Sequence, residues 1–187
     1  MKFIILGCGS SLGVPKSNGD FGKCDPREKK NYRTRCSALI KTKKNTILID
    51  TSPDLRMQLL NNDIKKIDKV LYSHMHADQT HGINDLRIFF MKNKKTIPVY
   101  ADKPTMKYLL TSFSYCFKKT FQNYPPILDL NLIKEKMHIQ ENKKKIIIDS
   151  IKVKHGKINS ICYRINKKLA YISDVSEIEK KNFHFFK

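Results

Sequence analysis

The sequence lacks any apolar run near the roughly 18 residues that a membrane-spanning helix requires, so we expect no membrane segment. Acidic residues are also scarce: 17 Asp and Glu stand against 37 Lys and Arg, which gives a net charge of +20. That excess is compatible with a nucleic-acid or phosphate partner. However, the lysines are spread along the whole chain, and a general bias in composition would produce the same excess. The charge alone therefore identifies no partner.

The five cysteines include no CxxC pair and are widely spaced, which argues against a disulfide framework. The opening MKFIILGC superficially resembles a lipoprotein signal. Seven residues before Cys8 are too few for a charged region followed by an apolar core, so we interpret this stretch as a first strand, which we expect to be buried. Without an export signal, we expect free thiols in a reducing cytoplasm.

Apolar runs alternate with helical patterns along the chain, without repeats or low-complexity segments. At 187 residues the chain is long enough for one domain, which we place at 1–187. The stretch 8–35 is rich in Gly, Ser, Pro and charge and predicts a long loop. Strands are predicted at 2–7, 36–42, 45–51, 67–73 and 97–102, with several more within 124–156. A hairpin is predicted at 160–174, with its turn at 166–168. Helices are predicted at 52–63, 82–95 and 104–117, and a further helix is expected to begin within 176–187.

The motif HMHAD follows the strand predicted at 67–73. His74 and His76 lie two residues apart, so in an extended chain both imidazoles point to one side and can reach one ion. Asp78 follows near a helix start, where its carboxylate can reach a second ion. Zinc accepts His nitrogen and Asp oxygen, and a position left open to water makes such a site catalytic. Two His and an Asp at this spacing predict a metal site.

HMHAD, with HG at 155–156 and ISD at 172–174, resembles the metallo-β-lactamase fold, whose signature is HxHxDH followed by a lone His, an Asp and a final His. The stretches LGCGSSLGVP, TRCSALI, ILIDTSPDLR, HADQTHGINDLR and YPPIL are similar to the PhnP-type branch, the phosphoribosyl cyclic phosphodiesterases and their relatives. The resemblance extends from residue 3 to 175. It implies an α+β fold, the four-layer αβ/βα sandwich.

The resemblance implies that His74, His76 and His155 hold a first metal, and that Asp174 bridges it to a second metal bound by Asp78. Zinc or manganese is the implied ion. His155 follows the alternating IKVK and Asp174 follows the apolar LAYIS, so both come at strand ends. Asp50, at the end of TILID, is a plausible acceptor for the ring N–H of a ligand histidine. A carboxylate that caps a turn is the alternative for Asp50.

Two features depart from the family pattern. Gln79 stands where the motif has its second His, and neutral Gln is a poor substitute for imidazole on zinc; we do not expect His81 to replace it. The sequence also stops thirteen residues past Asp174, before the final His, and His184 is interpreted as a surface or packing residue. We therefore expect one firm metal position and a second that is weak or vacant, in a domain that lacks its C-terminal strands and helix.

Metal-assisted hydrolysis of a small phosphorylated substrate is the predicted chemistry, with Asp78 as the catalytic residue that orients water or takes its proton. The family resemblance favours a cyclic phosphodiester such as a phosphoribosyl 1,2-cyclic phosphate. A tRNA-processing endonuclease of the ribonuclease Z kind is an alternative that would use the positive charge, although no basic arm for tRNA is visible. A non-catalytic truncated fragment is a third possibility. The oligomeric state stays open.

Overall fold

The computed structural model describes residues 1–119 and 124–186 and contains two β-sheets. The first sheet has the order β1-β2-β3-β4-β5-β6. Its first three strands pair antiparallel, and β3 to β6 pair parallel. The strands are β1 Lys2–Gly7, β2 Ser37–Lys41, β3 Thr46–Ile49, β4 Lys69–Leu71, β5 Ile97–Ala101 and β6 Leu128–Leu132.

Helices cover one face of this sheet. Leu48, Val70 and Val99 point into a core shared with Leu55 and Leu109 from two of the helices. Asp102 caps the longest helix by accepting from the backbone N of Thr105. The α-helices are α1 Leu55–Asn61, α2 Ala77–Thr80, α3 Arg87–Asn93, α4 Lys103–Ser112 and α5 Ser114–Phe117, and 3-10 helices span Lys29–Asn31, Ile83–Leu86 and Lys180–Phe186.

The second sheet packs on the other face of the first. It is antiparallel throughout, with the order β10-β9-β8-β7. A second core lies between the sheets, where Ile47 and Ile49 of β3 meet Ile148 and Tyr163. The strands are β7 Lys136–Glu141, β8 Lys144–His155, β9 Ile158–Ile165 and β10 Leu169–Tyr171.

A third, smaller core on the outer face of the second sheet includes Val153, Cys162 and Phe185. Phe185 belongs to the 3-10 helix Lys180–Phe186, so this segment lies over the sheet. The layers therefore run helices, sheet, sheet and a short helical segment. This arrangement confirms the predicted α+β sandwich.

Two local predictions differ from the structure. The strand at 2–7 was expected to be buried, yet β1 lies at the edge of its sheet and the side chain of Ile5 is 61% exposed. The segment 176–187 was expected to begin an α-helix, but its regular part is the 3-10 helix Lys180–Phe186. By contrast, the turn predicted at 166–168 is present, and Asn166 and Lys167 both have the positive φ of a type I′ hairpin turn.

The ends of strands from both sheets meet at one edge of the sandwich. Asp50 follows β3, His74 comes three residues after β4, and His155 ends β8. The backbone N of Ile161 donates to the carbonyl of Ser73 at 2.8 Å, which joins the two sheets at this edge. Among the described residues, no helix has the length and apolarity to cross a membrane.

Candidate metal centre

Three histidine side chains converge at this edge. His74 Nε2 lies 3.1 Å from His76 Nδ1, and His155 Nε2 lies 3.3 Å from the same atom. One ligand nitrogen from each ring lies within 4.8 Å of the others. Two nitrogens bound to one tetrahedral zinc at about 2.0–2.1 Å are themselves about 3.3 Å apart. The donor set and its spacing therefore fit a single zinc-sized ion.

A hydrogen-bond chain fixes the tautomer of His74. With the Asp50 carboxylate ionised, the Ser73 hydroxyl donates to Asp50 Oδ2 at 2.8 Å and accepts from His74 Nδ1 at 3.0 Å. It also accepts from the Ser173 hydroxyl at 2.9 Å. Because the proton of His74 is on Nδ1, its Nε2 presents a free lone pair to the other two rings. That is the form in which imidazole binds a metal.

Burial adds to this preference. His74 is 1% exposed, and burial, together with the neighbouring His76 and His155, lowers its pKa to about 3. The ring is therefore neutral at neutral pH. Burial also raises the pKa of Asp50 to about 8, although the two hydrogen bonds from Ser73 act in the opposite direction. The His74 ring is thus held in its neutral, metal-binding form before any ion arrives.

Two carboxylates lie beside the histidine cluster. Asp174 Oδ2 is 3.7 Å from His74 Nε2, and burial, with the charge of Asp78, raises the pKa of Asp174. Asp78 is 8% exposed and is joined to Asp174 through Gln79, whose Nε2 donates to Oδ2 of both residues, at 3.0 and 3.1 Å. The side chain of Gln79 therefore stands between the two carboxylates.

The structure brings together all five residues predicted as metal ligands, but in two groups. His74, His76 and His155 form the cluster of donors, with Asp174 at its border. Asp78 contacts Gln79 instead. The roles of the two carboxylates, including Asp78 as the catalytic residue, stay predictions.

The other residues considered from the sequence take different places. Asp50 was considered as a direct acceptor for a histidine ring, but Ser73 lies between Asp50 and His74. The Asp50 carboxylate instead accepts from the backbone N and the hydroxyl of Ser73. His81 contacts the Tyr108 hydroxyl at 2.9 Å and lies outside the three-histidine cluster. His184 is exposed. Ser73 and Ser173 were missed, although the position of Ser73 directly before His74 at a strand end was a usable signal.

A cavity of about 220 Å³ opens beside His74. Besides His74, its polar lining residues are Lys152, Lys157 and Asn159 of the β8–β9 hairpin and the buried Asp102 and Thr105. Two ammonium groups close to a metal position suit an anionic ligand. The cavity is small, so only part of a nucleotide-sized molecule fits within it.

Known proteins resemble the chain in sequence and in structure. A family model described as the β-lactamase superfamily domain matches residues 45–186. The octanoyltransferase of Porphyromonas gingivalis (strain ATCC BAA-308 / W83) is 31% identical over 188 residues, covering 100% of this chain and 37% of that protein. Ribonuclease Z of Bacillus subtilis (strain 168) is 24% identical over 172 residues, covering 90% of this chain and 50% of that protein.

Among solved structures, the crystal structure of a new diphosphatase from the PhnP family matches with a TM-score of 0.77 and 28% identity. The match covers 94% of this chain and 66% of that one. The chain therefore spans 37%, 50% and 66% of the length of these three relatives. Since the family model covers most of the sequence and the sandwich agrees with it, the chain belongs to the β-lactamase superfamily and has the metallo-β-lactamase fold.

Proposed function

We propose that the chain acts as a metal-dependent hydrolase of phosphate esters, with a small cyclic phosphodiester such as a phosphoribosyl 1,2-cyclic phosphate as the favoured substrate. The observation that carries this proposal is the spacing of the His74, His76 and His155 nitrogens, which suits one zinc or manganese ion. The similarity to a PhnP-family diphosphatase supports chemistry at phosphorus.

A bound divalent ion supplies a water molecule of lowered pKa and offsets negative charge on the phosphoryl oxygens. His74 and His155 would hold it through Nε2, and His76 through Nδ1. Ser73 and Asp50 keep the His74 lone pair directed at that position. Asp78, whose carboxylate is anchored by Gln79, is the proposed group that orients the attacking water or takes its proton.

The substrate phosphate is proposed to lie towards the cavity beside His74. Lys152 and Lys157 line it, and neither forms a salt bridge within the described residues. Their ammonium groups would offset the charge of a phosphodiester and of the phosphomonoester product. Asn159 adds an amide that can hydrogen-bond to sugar or phosphate oxygens.

The test is hydrolysis by the purified chain, stripped with a chelator and reloaded with zinc or manganese, followed by phosphorus NMR. The substrates are a phosphoribosyl 1,2-cyclic phosphate, a nucleoside diphosphate ester and a precursor tRNA. We expect turnover of the cyclic diester that His155→Ala abolishes and that Lys157→Ala weakens mainly through KM. His184→Ala is the matched control, because that histidine is exposed outside the cluster. Absence of turnover by the metal-loaded chain on all three substrates contradicts the proposal.

A tRNA-processing endonuclease is the second candidate. The net charge of +20 and the 24% identity to a ribonuclease Z favour it. Binding that depends on phosphate contacts weakens steeply as salt increases. Cleavage of precursor tRNA in preference to the cyclic diester, with affinity that falls with rising salt, would favour this candidate over the first.

A further inference from the structure

Gln79 occupies the space between two acidic side chains. It is fully buried, and the two N–H groups of its Nε2 are directed at Asp78 Oδ2 (3.0 Å) and Asp174 Oδ2 (3.1 Å). Two carboxylates that meet in a poorly solvated place repel each other unless something positive or hydrogen-bond-donating stands between them. A divalent cation is one solution, and a side-chain NH₂ with two donors is another.

The backbone of Gln79 is fixed independently of its side chain. Its N donates to the carbonyl of His76 at 3.1 Å, and its carbonyl accepts from the backbone N of Thr51 at 2.7 Å. The Gln79 side chain therefore extends from a backbone position on α2 that is fixed by two hydrogen bonds. Withdrawing its amide from the space between the carboxylates would require a change of rotamer within a packed interior.

The other end of the amide is unsatisfied. Gln79 Oε1 is buried without a hydrogen-bond partner among the described residues, an arrangement that is unfavourable by itself. Turning the amide over would instead direct Oε1 at two carboxylate oxygens, which is repulsive. The observed orientation is therefore the one that the two acids impose, with the NH₂ group as their shared donor.

We infer that the Gln79 carboxamide takes the place of a second metal ion between Asp78 and Asp174, so that the centre binds one ion, at the three histidines. The residues around Gln79 do not fit a second ion: the group that faces both carboxylates is a donor, and a donor cannot ligate a cation. This inference rests on the proposed metal site at His74, His76 and His155. It assigns Gln79 a positioning role, since the amide holds the carboxylate of Asp78 in one orientation.

The test is the number of zinc ions bound per chain, measured on chelator-stripped protein by isothermal titration calorimetry and native mass spectrometry. We expect one equivalent for the wild type. Gln79→Glu removes the donor and places a third carboxylate at the same position, and Gln79→His supplies an imidazole. Each variant should bind a second equivalent at least tenfold more tightly than any second ion in the wild type.

Gln58→Glu is the matched control. Gln58 is also buried, its Nε2 also donates to two groups, Thr34 Oγ1 and the Arg35 carbonyl, and its Oε1 is also unpartnered. It lies outside the histidine cluster, so Gln58→Glu should still bind one equivalent. A second equivalent in this control would mean that any buried carboxylate recruits zinc, and would overturn the assignment to position 79.

A wild-type chain that binds two ions with affinities within tenfold of each other overturns the inference, as do Gln79 variants that bind no more than the wild type. A wild type that binds no zinc contradicts the proposed function; in that case a gain of one ion by the variants supports the role of Gln79, and no gain refutes it.

Should the variants fail to fold, NMR of the wild type decides. The Gln79 side-chain NH₂ protons should stay protected from exchange when one equivalent, and then excess zinc, is added, and loss of that protection contradicts the inference.

Discussion

At the scale of single residues, Ser73 determines which ring nitrogen of His74 carries the proton. Ser73 donates to Asp50, accepts from Ser173 and from His74, and so leaves His74 Nε2 without a proton. Partners of this kind, one step away from the ligands, tune metal affinity because they fix ring orientation and tautomer. His74 and His76 could be predicted as candidate ligands from the spacing in HMHAD, whereas His155 was implied by the family resemblance. The position of Ser73 directly before His74 was a signal for the serine relay, but the partners of its hydroxyl were not predictable, because Asp50 and Ser173 come from distant segments.

Ser73→Ala tests this relay. Without the hydroxyl, the Nδ1 proton of His74 loses its acceptor, and we expect zinc affinity to fall about 10–100-fold. Competition with a chromophoric chelator measures it. Ser150→Ala is the control, because Ser150 is a buried serine of the second sheet that also donates one hydrogen bond, to the carbonyl of Lys134. Equal zinc affinity in Ser73→Ala and Ser150→Ala would show that the relay does not support the metal.

At the scale of elements, an ion pair attaches the end of the long N-terminal loop to helix α1. Arg35 makes a two-pronged contact with Asp54, with Nε and Nη2 donating at 2.9 and 2.6 Å, and its backbone N also donates to Asp54. The loop and the helix were predictable from Gly, Pro and apolar spacing. Their pairing was not, because it joins residues 19 positions apart through the tertiary fold.

The Arg35–Asp54 pair predicts a dependence of stability on pH. Hydrogen bonds from Arg35 lower the pKa of Asp54 below its ordinary value of 3.8. A carboxyl whose pKa is lower in the folded state stabilises the fold above the unfolded pKa and loses that contribution as pH falls through the folded value. Asp54→Asn should therefore reduce the free energy of unfolding by about 1 kcal/mol at pH 7, and by progressively less below about pH 4.

Urea unfolding of the metal-free chain from pH 3 to 7 measures this difference. Asp25→Asn provides the comparison, because Asp25 pairs with Arg27 at the surface, where solvent screens the pair, and should change stability less. An Asp54→Asn effect that is the same at pH 3 and pH 7 would show that the ion pair is not its source.

At the scale of the whole molecule, strand β3 supports both cores at once. Its residues alternate, so that Leu48 faces the helices while Ile47 and Ile49 face the second sheet, and all three are fully buried. The apolar runs predicted such buried strands. They did not predict that the equally apolar β1 would lie at the edge, because strand order depends on pairing between distant segments. The same sandwich brings His155, from the second sheet, to His74 and His76 of the first.

Ile47→Ala tests the contact between the sheets. Removal of a fully buried isoleucine leaves a cavity in the packed interior and should cost about 2–5 kcal/mol in unfolding free energy. Ile5→Ala on β1 is the matched control; that side chain is 61% exposed, and we expect a change within about 0.5 kcal/mol. Urea midpoints with unchanged slopes measure both. Similar losses in the two variants would contradict the assignment of the core to the space between the sheets.

The proposed function depends most on a metal held by three imidazoles, and X-ray absorption at the zinc edge tests that coordination directly. The chain loaded with one equivalent should show the multiple-scattering pattern of histidine ligands, with nitrogen or oxygen neighbours at about 2.0–2.1 Å and no sulfur. Cysteine sulfur is the other common zinc ligand in proteins, and Cys36 is a partly buried free thiol, so the absence of sulfur is a specific test. A sulfur shell at about 2.3 Å, or zinc that washes off the chain, would contradict the three-histidine centre.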